Sequence, residues 1–143
     1  MSRIVIDTNT LVQIVSPKSR YREIYDSFFD GRNTLCVSTE ILEEYEEILY
    51  RLTNKEVAAN IIDAIVNNPY TLEVQPFYKF NLIQQDPDDN KFVDCAIVSH
   101  ARYLVTEDKH FRVLKDIPFP SVHVIGIDDF LNEIRKHKVW IQF

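Results

Sequence analysis

Glycine is nearly absent from this chain. Only Gly31 and Gly126 occur among its 143 residues, and neither lies in the spacing by which a glycine-rich loop wraps phosphates with its backbone, which excludes a P-loop. Cysteine is equally scarce: Cys36 sits in an apolar strand-like run and Cys95 in an apolar helical stripe, with no CxxC or Cys/His spacing. That excludes a structural zinc site, and both read as small buried residues of a reducing cytosol. His100, His110, His123 and His137 are scattered without metal-binding spacing, and no catalytic Ser/His/Asp order is present. No apolar run approaches the ~18 residues of a membrane span, and no charged-then-apolar leader opens the chain. A cytoplasmic protein with no membrane contact is expected.

Basic charge is also in short supply, the formal net charge being -6. Phosphate-binding surfaces normally carry a basic face, but carboxylates that bind metal are neutralised when loaded. What remains includes Lys91, Lys109, His110 and Arg112, all close in sequence to acids singled out below.

With 45% hydrophobic residues and no linker, repeat or low-complexity stretch, the sequence is expected to form one domain spanning residues 1 to 143. Short β-branched apolar runs at 4 to 6, 35 to 38, 103 to 106 and 122 to 127, with a weaker one at 71 to 74, have the pattern of strands buried on both faces. Helical stretches are expected at 19 to 30, 39 to 52, 54 to 67, 89 to 102 and 128 to 137. This alternation predicts right-handed crossovers and a three-layer α/β/α sandwich around a mainly parallel sheet of four or five strands.

Four acids stand at informative places in that frame. Asp7 closes "RIVID", Glu44 lies inside "STEILEEYEEIL", Asp89 opens "DNKFVDCAIVSHA", and Asp108 follows "RYLVT". The carboxyl ends of parallel strands form the crevice where ligands bind. Carboxylates gathered there demand a counter-charge, for which a hard divalent cation such as Mg²⁺ or Mn²⁺ is the economical choice. At about 100° per residue, Ile41, Leu42, Tyr45, Ile48, Leu49 and Leu52 form one stripe with Glu44 at its border, while Glu43 and Glu47 face away. Glu40 lies one turn before Glu44 but also suits the dipole and cap of a helix start. Asp89 projects onto the stripe of Phe92, Val93, Ala96 and Ile97, and capping competes with ligation as its role. Asp94 flanks that stripe as an auxiliary group, and Asp86 and Asp88 read as loop residues around Pro87. An acid ending the first strand, Asp7, has little structural work there, whereas Asp108 could cap a short helix over "KHFRVL". Thr8, Asn9 and Thr106 supply hydroxyl and amide groups that can orient carboxylates.

In order along the chain, "IVIDTN", "VSTEILEEYEEIL" and "DPDDNKFVDCAIVSHARYLVTEDKHF" resemble a PIN-domain protein, within it the small single-domain toxins of toxin–antitoxin pairs. Specificity comes from the combination: a strand-ending Asp, a helix Glu six residues past Ser38, an Asp seven residues before Ala96, and Thr-x-Asp after a strand. The resemblance implies a PIN fold and a metal-dependent endoribonuclease. It assigns catalytic and metal-binding roles to Asp7, Glu44, Asp89 and Asp108, and Asp94 matches an extra acid of some members. Asn9, Asp94 and Thr106 become auxiliary residues, and Lys91, Lys109 and His110 candidate RNA contacts. The implied cofactor is Mg²⁺ or Mn²⁺, and the implied partners are an RNA substrate, an antitoxin chain and a second copy in a homodimer. A solitary RNA-processing PIN nuclease and a catalytically silent PIN-fold binding module are the alternatives, although no ligand is missing. A receiver domain would show an adjacent acidic pair after strand one, and an Asp-x-Asp phosphatase would need an acid at Asn9. In the tail "KVWIQF", Val139, Trp140, Ile141 and Phe143 are expected either to pack as an edge strand or to form a dimer or antitoxin surface.

Overall fold

In the computed structural model, backbone is described for residues 1–141 and side chains for residues 1–136. The elements in order are β1 (Ser2–Ile6), α1 (Thr8–Val15), α2 (Arg22–Ser27), β2 (Asn33–Val37), α3 (Thr39–Leu52), α4 (Lys55–Asn67) and β3 (Leu72–Glu73). A 3-10 turn (Pro87–Asp89) then leads to α5 (Asn90–Ser99), β4 (Tyr103–Val105), a 3-10 segment (Lys109–Asp116), β5 (Val124–Ile125) and α6 (Ile127–Ile141). The strands form one sheet in the order β3-β2-β1-β4-β5, and every pairing is parallel. The expected α/β architecture with a central parallel sheet is what the chain adopts.

Strand β1 is central because its apolar run has no polar face to show. Ile4, Val5 and Ile6 are all fully buried, each worth ~1.5–3 kcal/mol of apolar burial. Ile4 pairs with Leu35 on one side and Tyr103 on the other. From β1 the chain winds outward through β2 to β3, then returns to lay β4 on the opposite edge of β1. The switch point of this winding therefore falls between the carboxyl ends of β1 and β4, the favoured ligand crevice of an open parallel sheet. Helix α5 packs across β1, β2 and β4, which brings its amino end toward that edge.

Several boundaries depart from the sequence reading. Helix α1, not expected, begins one residue after β1 because Asp7 is its N-cap, accepting from the Thr10 amide at 2.9 Å. Its buried Thr8, Thr10, Leu11 and Ile14 mix hydroxyls with aliphatics, which blurs the helical period. The stretch expected as a helix over 19 to 30 narrows to α2. Helix α5 starts at Asn90 and ends where His100 turns left-handed, with φ 55°. The expected short helix over "KHFRVL" forms as a 3-10 segment. The helical backbone of α6 through Ile141 replaces the edge strand considered for the tail. As a dimer or antitoxin surface, the side chains of Val139, Trp140, Ile141 and Phe143 lie outside the described residues. Among the described residues no helix is long and apolar enough to cross a membrane.

Candidate metal centre

The ends of β1 and β4 are tied together by polar side chains. Asp7, 6% exposed, accepts the Thr10 amide on Oδ1 and the Thr106 hydroxyl on Oδ2. Thr106 Oγ1 accepts in turn from the backbone N–H of Asp108 at 3.0 Å. Burial raises the Asp7 carboxyl above its ordinary value against the lowering effect of these hydrogen bonds, and the charge of Asp108 adds to the rise. Asp7 thus does structural work as a cap, contrary to the sequence reading.

Glu44 reaches the same place from α3. The preceding helix turn is started by Ser38, whose Oγ accepts from the Ile41 amide. The fully buried Tyr45 donates its hydroxyl to the Ile6 carbonyl, which pins α3 against the end of β1 and presents the adjacent Glu44 to it. Glu44 Oε2 accepts the Thr8 hydroxyl and Oε1 accepts from Lys91 Nζ at 2.7 Å. Lys91 also donates to Asp88 Oδ1 at 2.8 Å. Lys91 therefore spends its charge on carboxylates. With its side chain 10% exposed, it is placed as an ion-pair partner in the wall between the acids and the neighbouring cleft that it also lines.

Asp89 opens α5 without making a capping hydrogen bond. Capping of the preceding 3-10 turn falls to Asp86, which accepts the Asp88 amide at 3.2 Å, and this leaves the Asp89 carboxylate available. Asp108 accepts the His110 amide at 2.9 Å, the capping role foreseen for it. The His110 ring stands with Nδ1 3.5 Å from Asp89 Oδ2 and 3.4 Å from Asp108 Oδ1. Both Asp89 Oδ2 and His110 Nδ1 are shielded from solvent and lack a hydrogen-bond partner. Burial, then the charges of Asp86 and Asp108, push the Asp89 carboxyl up to about 6, with His110 opposing.

The acids face one small cavity of about 220 Å³, lined by Asp7, Thr8, Asn9, Glu44, Asp86, Asp89 and Asp108 together with the apolar Ile48 and Phe92. All four acids of the expected quartet are brought together there. Asn9 also borders an adjoining cavity of about 470 Å³ with Asp7, Gln13, Glu107 and Asp108. The tightest constellation is a different one: Asp86, Asp89 and His110 each place a ligand atom within 4.8 Å of the others. Unpartnered buried oxygen and nitrogen atoms beside several carboxylates are the donor set of a divalent cation, so the residues fit a metal. Asp86, Asp89 and His110 would hold it, with Asp7 and Asp108 beside them.

A PIN-domain family profile matches residues 3–110. The chain belongs to the PIN-domain family. Solved structures similar to this PIN domain include VapBC2 from Rickettsia felis bound to a promoter DNA fragment, at 18% identity and TM-score 0.61, covering 87% of this chain and 98% of that one. VapBC-1 from nontypeable Haemophilus influenzae aligns at 14% identity and TM-score 0.62, covering 88% and 98%. The sarcin-ricin loop cleaving toxin VapC20 from Mycobacterium tuberculosis aligns at 11% and 0.52, covering 71% and 86%. No curated protein matches in sequence.

The remaining expected residues of this PIN domain fall elsewhere. Asp94 is buried and accepts the Phe80 amide at 3.2 Å. It lines a neighbouring cleft of about 400 Å³ with Ser38, Glu40, Lys79 and Lys91 and does not line the acid cavity. Burial raises its carboxyl. Lys109 is exposed and lines neither cavity of the acid edge. Asp86 was missed because an acid before proline reads as turn chemistry. The only sequence signal for it was the density of acids in "DPDDN".

Proposed function

We propose that this PIN domain is a divalent-metal-dependent endoribonuclease, one domain over residues 1 to 143, and the toxin of a toxin–antitoxin pair. The observation that carries the reading is the convergence of Asp7, Glu44, Asp86, Asp89 and Asp108 on one cavity, with the buried Oδ2 of Asp89 lacking a hydrogen-bond donor and His110 Nδ1 3.5 Å from it. Mg²⁺ or Mn²⁺, when bound, supplies Lewis acidity toward a phosphate oxygen and lowers the pKa of nearby water.

The chain's own residues supply position. Thr10 and Thr106 fix Asp7 from two sides, Thr8 and Lys91 fix Glu44, and the backbone amide of His110 fixes Asp108. Rigidly held carboxylates cost little reorganisation when a charged substrate arrives. The likeness in fold to VapBC complexes supports an antitoxin partner, and the likeness to VapC20, a sarcin-ricin loop cleaving toxin, supports an RNA substrate.

The test is cleavage of single-stranded and stem-loop RNA by wild-type protein and by Asp7→Asn and Asp89→Asn. Cleavage in Mn²⁺ or Mg²⁺ that each substitution abolishes in a folded protein is expected. Metal-independent cleavage, or full activity in both variants, would overturn the reading. Co-expression with the product of an adjacent small reading frame tests the toxin role, with relief of growth arrest expected.

A further inference from the structure

Glu44 and Asp89 stand at the same cavity in opposite conditions. Both oxygens of Glu44 are already engaged, one by the Thr8 hydroxyl and one by the Lys91 ammonium at 2.7 Å. The ammonium is held from its other side by Asp88 at 2.8 Å and lies 5.6 Å from the Phe92 ring centroid. Its side chain is nine-tenths buried, so the charge is built into the wall. Asp89 Oδ2 and His110 Nδ1, 3.5 Å apart, are buried without a hydrogen bond, and Asp86 completes a set of ligand atoms within 4.8 Å.

A second dication placed ~4 Å from the first, as in two-metal nucleases, needs its own free carboxylate oxygens. At Glu44 it would meet a fixed positive charge a few ångströms away, and like charges at that range repel strongly in a partly buried site. We propose that this centre takes one divalent ion, on the side of Asp86, Asp89 and His110, and that the Lys91 ammonium stands at Glu44 where a second ion would otherwise bind. Lys91 is then a positioning residue acting through Glu44. The proposal rests on the metal reading above and adds the number of ions and the side on which they bind.

Counting Mn²⁺ by electron paramagnetic resonance of the free ion tests this without reference to activity. Wild type is expected to bind one ion per chain. Lys91→Gln, which keeps a polar side chain without the charge, binds a second. Lys91→Arg, which restores the charge, binds one, and Lys91→Gln with Glu44→Gln returns to one. The isosteric Glu44→Gln alone, in which Lys91 keeps its Asp88 partner, keeps its ion with affinity within a few-fold of wild type, whereas Asp89→Asn loses at least tenfold.

Two ions in wild type, an unchanged or lower count in folded Lys91→Gln, or loss of the ion in Glu44→Gln overturns the proposal while the metal reading stands. No ion in wild type with one in Lys91→Gln removes the metal reading and keeps the role of Lys91. No ion in any variant removes both. If Lys91→Gln does not fold, the wild-type count and Glu44→Gln decide.

Discussion

Thr106 donates its hydroxyl to Oδ2 of Asp7, joining the end of β4 to the end of β1 at the switch point of the sheet. The same hydroxyl oxygen accepts from the Asp108 amide, so one threonine sets two of the acids. Thr106→Val keeps the shape and removes both bonds. The expected cost is ~1–3 kcal/mol of stability from the buried carboxylate left short of a donor, and about 10- to 100-fold in Mn²⁺ affinity. Thermal melts and calorimetric titration read these two quantities separately, and Thr106→Ser should recover both.

Metal binding is coupled to stability, because an ion that binds only the folded state raises its melting temperature by mass action. Mn²⁺ is expected to raise the wild-type melting temperature in a concentration-dependent way, and Asp7→Asn and Asp89→Asn to blunt the rise. Equal shifts in all three proteins would remove these two carboxylates from the centre.

The pH dependence of the metal-free protein follows from Asp89. Its carboxyl rises from 3.8 to about 6, chiefly through burial, so in that window the folded chain holds more protons than the unfolded one. Stability contributed by this group is therefore intact below 3.8, falls as pH rises through the window, and stays lower above it. Asp89→Asn should gain melting temperature relative to wild type between pH ~4 and ~7. A saturating divalent ion should remove that advantage. A difference that stays flat across the window would show that Asp89 is not the strained group.

Of the glutamates on α3, Glu44 and Glu40 divide cleanly. Glu44 lines the acid cavity, whereas Glu40 is exposed in the first turn and faces the neighbouring cleft with Asp94. Glu40→Gln is expected to retain most RNA cleavage, and Glu44→Gln to lose on the order of 10²-fold, because the Lys91 ammonium loses the counter-charge of Glu44 in the cavity wall and the preorganised charge of the site changes. Rates measured side by side in Mn²⁺ settle the assignment, and the reverse order would move the site to the cleft.

How far the sequence alone could lead is visible in particular residues. Hydrophobic runs with β-branched residues marked β1, β2 and β4, since strands buried on both faces must be apolar throughout. Glu44 followed from helical geometry because the Tyr45 stripe that places it is itself the core. Helix α1 was not legible: its first turn is built on threonine hydroxyls, and its cap, Asp7, was read as purely functional. The converse happened at Asp89, where capping was a serious alternative until Asp86 took that task one turn earlier. The pairing of Lys91 with Glu44, 47 residues apart, is a tertiary fact that no local pattern records. Asp86 and His110 meet for the same reason, through the folding of the 3-10 turn against the segment after β4.

The most direct measurement is the cleavage of one end-labelled stem-loop RNA by purified protein that has been stripped with a chelator and then given Mn²⁺. The account predicts no cleavage in the stripped protein, recovery on adding Mn²⁺, and no recovery with Asp89→Asn at the same concentration. Cleavage that persists in the chelator, or that Asp89→Asn recovers as fully as wild type, would contradict it.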